Sequence, residues 1–196
     1  MKKLWTLTGA LLLLVACAGC GSNPAPSQPP DPSKVVESAP KTPPAESVDW
    51  AVISVDAATF GMETSPETPL FSEVFGQPSQ APLDQLIAFA LIADGASEGA
   101  SDELYHRFLD APNTVLNYLA LMGDQTVSQP GNGDVCAAEA ICRGIAAADV
   151  AWYNTTEEFQ SLLKEYQGYY PSGRIAELLE ILETEHDAAI QRNAAQ

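Results

Sequence analysis

Apolar residues recur at helical spacing from Leu83 to the end of the chain, and this periodicity restricts the fold more than any other feature. The stretch Leu83–Ala93 is apolar nearly all round, which predicts a buried central helix. Five further segments each place their apolar residues on one face, as amphipathic helices do. Their apolar stripes are Leu104, Tyr105, Phe108 and Leu109; Val115, Leu116, Leu119 and Met122; Val135, Ala138, Ile141, Ile145, Ala148 and Trp152; Phe159, Leu162, Leu163 and Tyr166; and Ile175, Leu178, Leu179, Leu182 and Ile190.

Capping residues and breakers separate these segments. Asp110 is a suitable N-cap for the third helix, and Ser172 for the sixth. Thr155 and Glu158 have the spacing of a capping box at the start of the fifth. Gln125–Gly133 is polar and contains glycine, so we expect a loop there. The sequence predicts an all-α domain of about six helices, arranged as a compact bundle or as stacked antiparallel pairs.

This helical domain is predicted to span residues 47–196, because tryptophan, other aromatic residues and aliphatic residues follow the proline-rich stretch from Val48 onward. Trp50–Val55 has the composition of one short strand, although no convincing partner strand follows it. The next aromatic residues lie among serine, proline and glutamate. We therefore expect an irregular segment packed on the main body, with a helical turn at Phe71–Phe75.

Proline dominates the stretch that precedes the domain. Gly21–Glu46 contains eight of the fifteen prolines, and apart from alanines its apolar residues are limited to Val35 and Val36. Proline removes backbone donors and fixes φ, which disfavours both helix and sheet. We expect a disordered, partly polyproline-II tether, which at about 3.1 Å per residue would extend roughly 80 Å.

The N-terminus has the pattern of an export signal. Met1–Lys3 is basic, and the mostly apolar stretch Leu4–Val15 follows it. A helix needs roughly 20 apolar residues to cross a bilayer core of about 30 Å, and this stretch is shorter. Its length is typical of the apolar region of a signal peptide, which we place at residues 1–16.

Leu14-Val15-Ala16-Cys17 resembles the lipobox of bacterial lipoproteins. In that family the cysteine thiol receives a diacylglycerol, the peptide is cut before the cysteine, and the new N-terminus can be acylated, for example with palmitate. The resemblance implies lipidation of Cys17, with Cys20 in Cys17-Ala18-Gly19-Cys20 as the alternative. It also implies a protein of the cell envelope, anchored by lipid to the extracytoplasmic side of a bacterial membrane, with residues 17–46 as anchor and tether.

The charge balance excludes one class of partner. The chain has 26 acidic and 9 basic residues, for a net charge of −17. Removal of the signal peptide would make the charge still more negative, because Lys2 and Lys3 would be lost. We expect no nucleic-acid partner, because phosphate binding needs a basic surface. The same excess repels anionic lipid headgroups, so we expect the lipid anchor to provide the membrane attachment.

The two histidines of the chain occur in two Glu-x-x-His pairs, Glu103–His106 and Glu183–His186. Ferritin-like di-iron proteins combine two such pairs with a glutamate from each of two other helices. Here the first long helix has no glutamate, the first pair lies on the polar side of its helix, and Glu183 turns away from the apolar stripe that contains His186. We therefore predict no metal site and no cofactor. We expect a solvated His106 and a helix-edge His186, whose joint replacement by alanine changes the melting temperature little.

Cys136 and Cys142 are the remaining thiols, and in an exported chain an even pair suggests a disulfide. Six residues apart on a straight helix, their Cα atoms would be about 9 Å apart, beyond the limit of roughly 7 Å for a bridge. The bond requires the helix to begin after Cys136 or to bend, and Gly131–Asp134 favours a late start. We predict the disulfide, with two buried free thiols as the alternative.

No sequence motif for catalysis is present. The chain lacks Gly-x-Ser-x-Gly, His-Glu-x-x-His and a glycine-rich phosphate loop. Two classes of function remain. The first is a noncatalytic lipoprotein that binds a protein, a peptide or a cell-wall ligand, and the second is a metal-binding helical protein that uses the two Glu-x-x-His pairs. The sequence favours the first.

Overall fold

The computed structural model describes residues 41–48, 50, 69–93, 96–129 and 133–195, and these confirm the predicted all-α fold. The signal peptide, both lipobox cysteines, the tether before residue 41 and the proposed strand after Trp50 lie outside the described residues. Seven α-helices form the described part: α1 Pro69–Gly76, α2 Leu83–Ile92, α3 Glu98–Asp110, α4 Pro112–Leu121, α5 Ala137–Ala148, α6 Thr156–Tyr169 and α7 Arg174–Ala194.

Helix α5 is the centre of the packing, because it contacts α2, α3 and α7. Its alanines allow the neighbouring helices to approach closely, and Ile141 and Ile145 fill the space between them. Helix α2 is buried along most of its length, as its nearly uniform apolar sequence predicts. Contacts of one helix with three others are those of a bundle. None of the helices in the described ranges has the length and apolar surface needed to span a membrane.

A β-hairpin replaces the predicted loop before α5. Strand β1, Thr126–Gln129, pairs antiparallel with β2, Gly133–Cys136, and Thr126 lies opposite Cys136. Val135, which we had placed on a helix, belongs to β2. The prediction was wrong because β-branched residues on both sides of the glycines favour paired strands, and this preference outweighs the polar composition.

The start of α4 is capped from a distant part of the sequence. Asp110 is the last residue of α3 and not the predicted cap. The carboxylate of Glu46 instead accepts hydrogen bonds from the backbone N–H of Asn113 (2.6 Å) and from the N–H and hydroxyl of Thr114 (2.7 Å each). A carboxylate suits the free N–H groups and positive dipole end at this position.

Glu46 also accepts a hydrogen bond from the Tyr166 hydroxyl at 3.1 Å, and burial together with this carboxylate raises the pKa of Tyr166. The last residue of the predicted tether is therefore fixed between α4 and α6. Glu46, which the sequence assigns to the tether, is thus hydrogen-bonded to the helical domain.

Candidate functional site

A single turn of π-helix, Asp149–Tyr153, follows α5 and determines the geometry of the site. It ends at Asn154, which has a positive φ of 54° and donates its N–H to the Asp149 carbonyl at 2.6 Å. Asparagine tolerates this left-handed conformation better than most residues. Isolated π-turns occur often at functional sites, since the extra residue per turn redirects side chains.

Asp149 points inward and is the shared acceptor of a buried hydrogen-bond network. Its Oδ2 lies 2.8 Å from His186 Nε2, and its Oδ1 accepts hydrogen bonds from Tyr105 (2.9 Å) and Thr155 (2.5 Å). The hydroxyl oxygens of Tyr105 and Thr155 are 2.7 Å apart. Asp149 and His186 are both fully buried. We call these four residues the inner network, which joins α3, the π-turn, the N-cap of α6 and α7.

The surroundings of His186 restrict its chemistry. A carboxylate accepts hydrogen bonds, so Nε2 donates to Asp149. The other nitrogen, Nδ1, is buried without a hydrogen-bond partner, and the ring packs against Phe159 with centroids 4.7 Å apart. In a nucleophilic triad this second nitrogen would contact the attacking hydroxyl or thiol. Here no hydroxyl or thiol among the described residues bonds to it, and the hydrogen bond to Asp149 links α7 to the π-turn.

Tyr105 connects the inner network to the surface. Its ring stacks on that of Tyr153, with centroids 4.9 Å apart and planes 9° from parallel. Burial is the main cause that raises the pKa of Tyr105 to about 12. The Tyr153 hydroxyl donates to the Asp102 carboxylate, a hydrogen bond that raises the pKa of Tyr153. Since that proton is engaged, His106 Nε2 is the donor in its 2.9 Å contact with the Tyr153 oxygen.

Two large aromatic side chains are exposed at this point. Trp152 is 48% exposed and Tyr153 is 38% exposed. They form one side of a shallow notch of about 290 Å³, and the first turns of α3 form the other. We call this feature the outer notch; it is lined by Glu98, Gly99, Asp102, Trp152 and Tyr153. Trp152 was predicted to face the core, and the wider π-turn places it outside.

The four candidate metal ligands are not assembled into one site. Glu103 accepts a hydrogen bond from the buried Arg107 at 2.9 Å, and Glu183 accepts one from Gln167 at 2.9 Å. His106 and His186 contact Tyr153 and Asp149 instead. Across the described ranges, no group of three or more histidine, cysteine, aspartate or glutamate side chains is placed to hold a metal ion. The expectation of a helix-edge His186 was wrong, because its ring is fully buried.

Cys136 and Cys142 are free thiols in the structure, contrary to the predicted disulfide. Helix α5 does begin after Cys136, as the bond would require. However, Cys136 is at the N-cap position and its Sγ lies 3.6 Å from Arg174 Nη2, whereas Cys142 is buried in the core. Burial raises the pKa of Cys142, so this thiol is not the reactive thiolate form.

The capping box at α6 is also replaced by a tertiary contact. Thr155 is the N-cap residue, but its hydroxyl makes no capping hydrogen bond and donates to Asp149 instead. We did not identify Asp149 or Tyr153 from the sequence. The available signal was a lone aspartate in an alanine-rich apolar stretch, since a buried carboxylate needs donors.

The chain matches no family model, no curated protein and no solved structure. A fold alone does not define a function, so the function has to be inferred from the inner network and the outer notch.

Proposed function

We propose that the chain is an exported, lipid-anchored protein of the cell envelope whose helical domain is a noncatalytic binding module. One observation supports the binding role. Trp152 and Tyr153 are adjacent and exposed, and they belong to a π-turn that the buried hydrogen bonds of Asp149 hold in place. Aromatic side chains dominate the energetics of protein interfaces, especially where they are rigid before binding. The fixed turn provides that rigidity.

The chemistry of the site supports binding over catalysis. The buried pair Asp149–His186 has no exposed atom that a substrate could reach. Asp102, His106 and the Tyr153 hydroxyl reach solvent, and they are hydrogen-bonded to one another. Such mutual bonding orients the Tyr153 ring, which stacks on Tyr105 with one face and remains 38% exposed.

The membrane address rests on the sequence. Leu14–Cys17 resembles a lipobox, and the proline-rich segment after it is long enough to separate the domain from a membrane by tens of ångströms. The structure adds that Glu46 bonds to the first turn of α4. Tension in a tether that ends at Glu46 would therefore act on the helix bundle at the first turn of α4.

Mass spectrometry of the mature N-terminus tests the address. We expect a diacylglyceryl group on Cys17, lost in Cys17→Ser and kept in Cys20→Ser. The reverse pattern would move the site to Cys20. An unmodified N-terminus in the parent chain would contradict lipid anchoring.

Photo-crosslinking in producing cells tests the binding role. A photoreactive amino acid in place of Trp152 should give a discrete crosslinked product. The matched control is the same substitution at Leu121, which is also exposed, at 66%, on a different helix. Equal crosslinking at both positions, or none at Trp152, would contradict a dedicated binding face.

A further inference from the structure

We infer that the outer notch binds a cationic side chain, lysine or arginine, presented by an extended basic segment of a protein partner. This inference rests on the proposed binding function and specifies its ligand. The juxtaposition behind it is an exposed indole and a phenol ring facing two carboxylates across one shallow notch.

The carboxylates lie on one face of α3. Glu98 is in the first turn and Asp102 follows one turn later, so both side chains project toward the same side. Glu98 is exposed and has no hydrogen bond or ion pair within the described residues. Asp102 uses Oδ1 for the Tyr153 hydroxyl, and its other oxygen can accept from a ligand. The notch therefore offers acceptors that its own residues do not use.

The rings supply the second half of a cation site. A lysine or arginine head group over the face of tryptophan or tyrosine is attracted by the negative charge of the ring face. Trp152 and Tyr153 line the notch opposite Glu98 and Asp102. A cation entering the notch would contact ring and carboxylate together, whereas a neutral group would gain only the ring contact.

Charge selects this occupant over the other plausible ones. The notch is lined by two carboxylates and by no lysine or arginine, in a chain of net charge −17. A second copy would bring the same negative charges to the interface, and like charges oppose association. A neutral glycan could stack on Trp152 but would leave the carboxylates without a positive partner.

A larger groove elsewhere lacks this property. It has a volume of about 420 Å³ and lies between α5 and α7. Its acidic residues are accompanied by arginines that already pair with them, Arg143 with Glu185 at 3.1 Å and Arg174 with Glu177 at 3.0 Å. The charges of that groove are partly balanced by arginines, whereas no lysine or arginine lines the outer notch.

Fluorescence anisotropy with the purified full chain in detergent tests the inference. The probes are a fluorescein-labelled peptide of alternating lysine and serine and its counterpart with glutamine in place of lysine. We expect saturable binding of the lysine peptide that weakens with added salt, and binding of the glutamine peptide at least about tenfold weaker. Trp152→Ala should weaken lysine-peptide binding about fivefold or more, and Glu98→Gln about threefold.

The matched controls are Leu121→Ala and Glu73→Gln, which remove an exposed apolar and an exposed acidic side chain elsewhere, and both should bind like the parent chain. Equal binding of both peptides, or equal loss in Glu98→Gln and Glu73→Gln, would overturn the inference. So would displacement of the peptide by neutral cell-wall oligosaccharide fragments. If Trp152 crosslinks in cells but the lysine peptide does not bind, only the identity of the ligand is wrong and the binding role stands.

Discussion

The inner network and the outer notch lie on the two sides of one ring, Tyr105, and they differ in nearly every physical respect. The inner network is centred on the fully buried Asp149, which receives its donors from α3, α7 and the N-cap of α6. The outer notch is open, and its carboxylates have few partners. A buried carboxylate without donors would be costly, so the inner side is built to satisfy its own groups. The outer side leaves groups available for a ligand.

The two histidines illustrate the same difference. Each follows a glutamate by three residues, yet the side chain of His106 is 46% exposed and that of His186 is 1% exposed. The Glu-x-x-His pattern therefore carries no common function here. The two rings differ in which residue of the π-turn they contact. His186 bonds to the buried Asp149, whereas His106 bonds to the exposed Tyr153.

Removal of the shared acceptor should have the largest effect. Asp149→Ala leaves the buried His186 and Tyr105 and the half-buried Thr155 without their common acceptor. We expect a loss of about 3–5 kcal/mol in the free energy of unfolding, measured by urea denaturation. Asp102→Ala, on the exposed side, should cost less than about 1 kcal/mol. Similar losses in both variants would show that the two sides do not differ as the structure implies.

The histidine substitutions should separate in the same direction. His186→Ala removes a buried ring that packs on Phe159, as well as the hydrogen bond to Asp149, and should cost about 2–4 kcal/mol. His106→Ala removes an exposed ring and should cost less than about 1 kcal/mol. The sequence-based expectation of little change for the double variant is thus revised, and thermal unfolding of both single variants checks the revision.

Tyr105→Phe tests the connection between the two sides. The stacked ring is kept while the hydroxyl is lost, so we expect a destabilisation of about 1–2 kcal/mol at neutral pH. The pKa of Tyr105 rises from 10.0 to about 12 on folding, so the native state retains the phenol proton over this interval. Stability from this group is complete below about pH 10 and is lost as the pH rises toward 12.

Urea denaturation at several pH values measures this contribution. Between pH 10 and 12 the parent chain should lose more stability than Tyr105→Phe does. Tyr166 also has a raised pKa, so Tyr166→Phe is the comparison that separates the two tyrosines. Parallel curves for the parent and Tyr105→Phe would contradict a buried, neutral Tyr105.

Local patterns in the sequence predicted the helices but not their connections. The apolar stripes locate α2 to α7 because the period of an amphipathic helix, about 3.6 residues, can be recognised within a short stretch of sequence. The replacements of expected caps follow from contacts between distant residues: Glu46 caps α4, and Thr155 bonds to Asp149 and not to its own helix. Such partners cannot be identified from spacing within one segment.

The candidate site was missed for the same reason. Trp152 fits the apolar stripe of α5 if the helix continues with ordinary geometry, and only the π-turn moves it to the surface. A π-turn has no sequence period of its own. In retrospect, the run from Asp149 to Asn154 combines a lone carboxylate with a residue that tolerates positive φ, and these are the two residues that fix the turn.

The smallest effect on stability should come from the residue with the largest expected effect on binding. Trp152→Ala removes a half-exposed ring, while the turn beneath it remains bonded through Asp149 and Asn154. We expect the free energy of unfolding to change by less than about 0.5 kcal/mol. Circular dichroism during urea denaturation measures this change, with Leu121→Ala as the exposed control. If Trp152→Ala destabilised the domain as much as His186→Ala does, the ring would belong to the inner architecture and its exposure would not indicate a ligand. A stable Trp152→Ala variant that binds the lysine peptide more weakly would instead separate recognition from folding, since the inner network would then hold the turn without any contribution from the Trp152 ring.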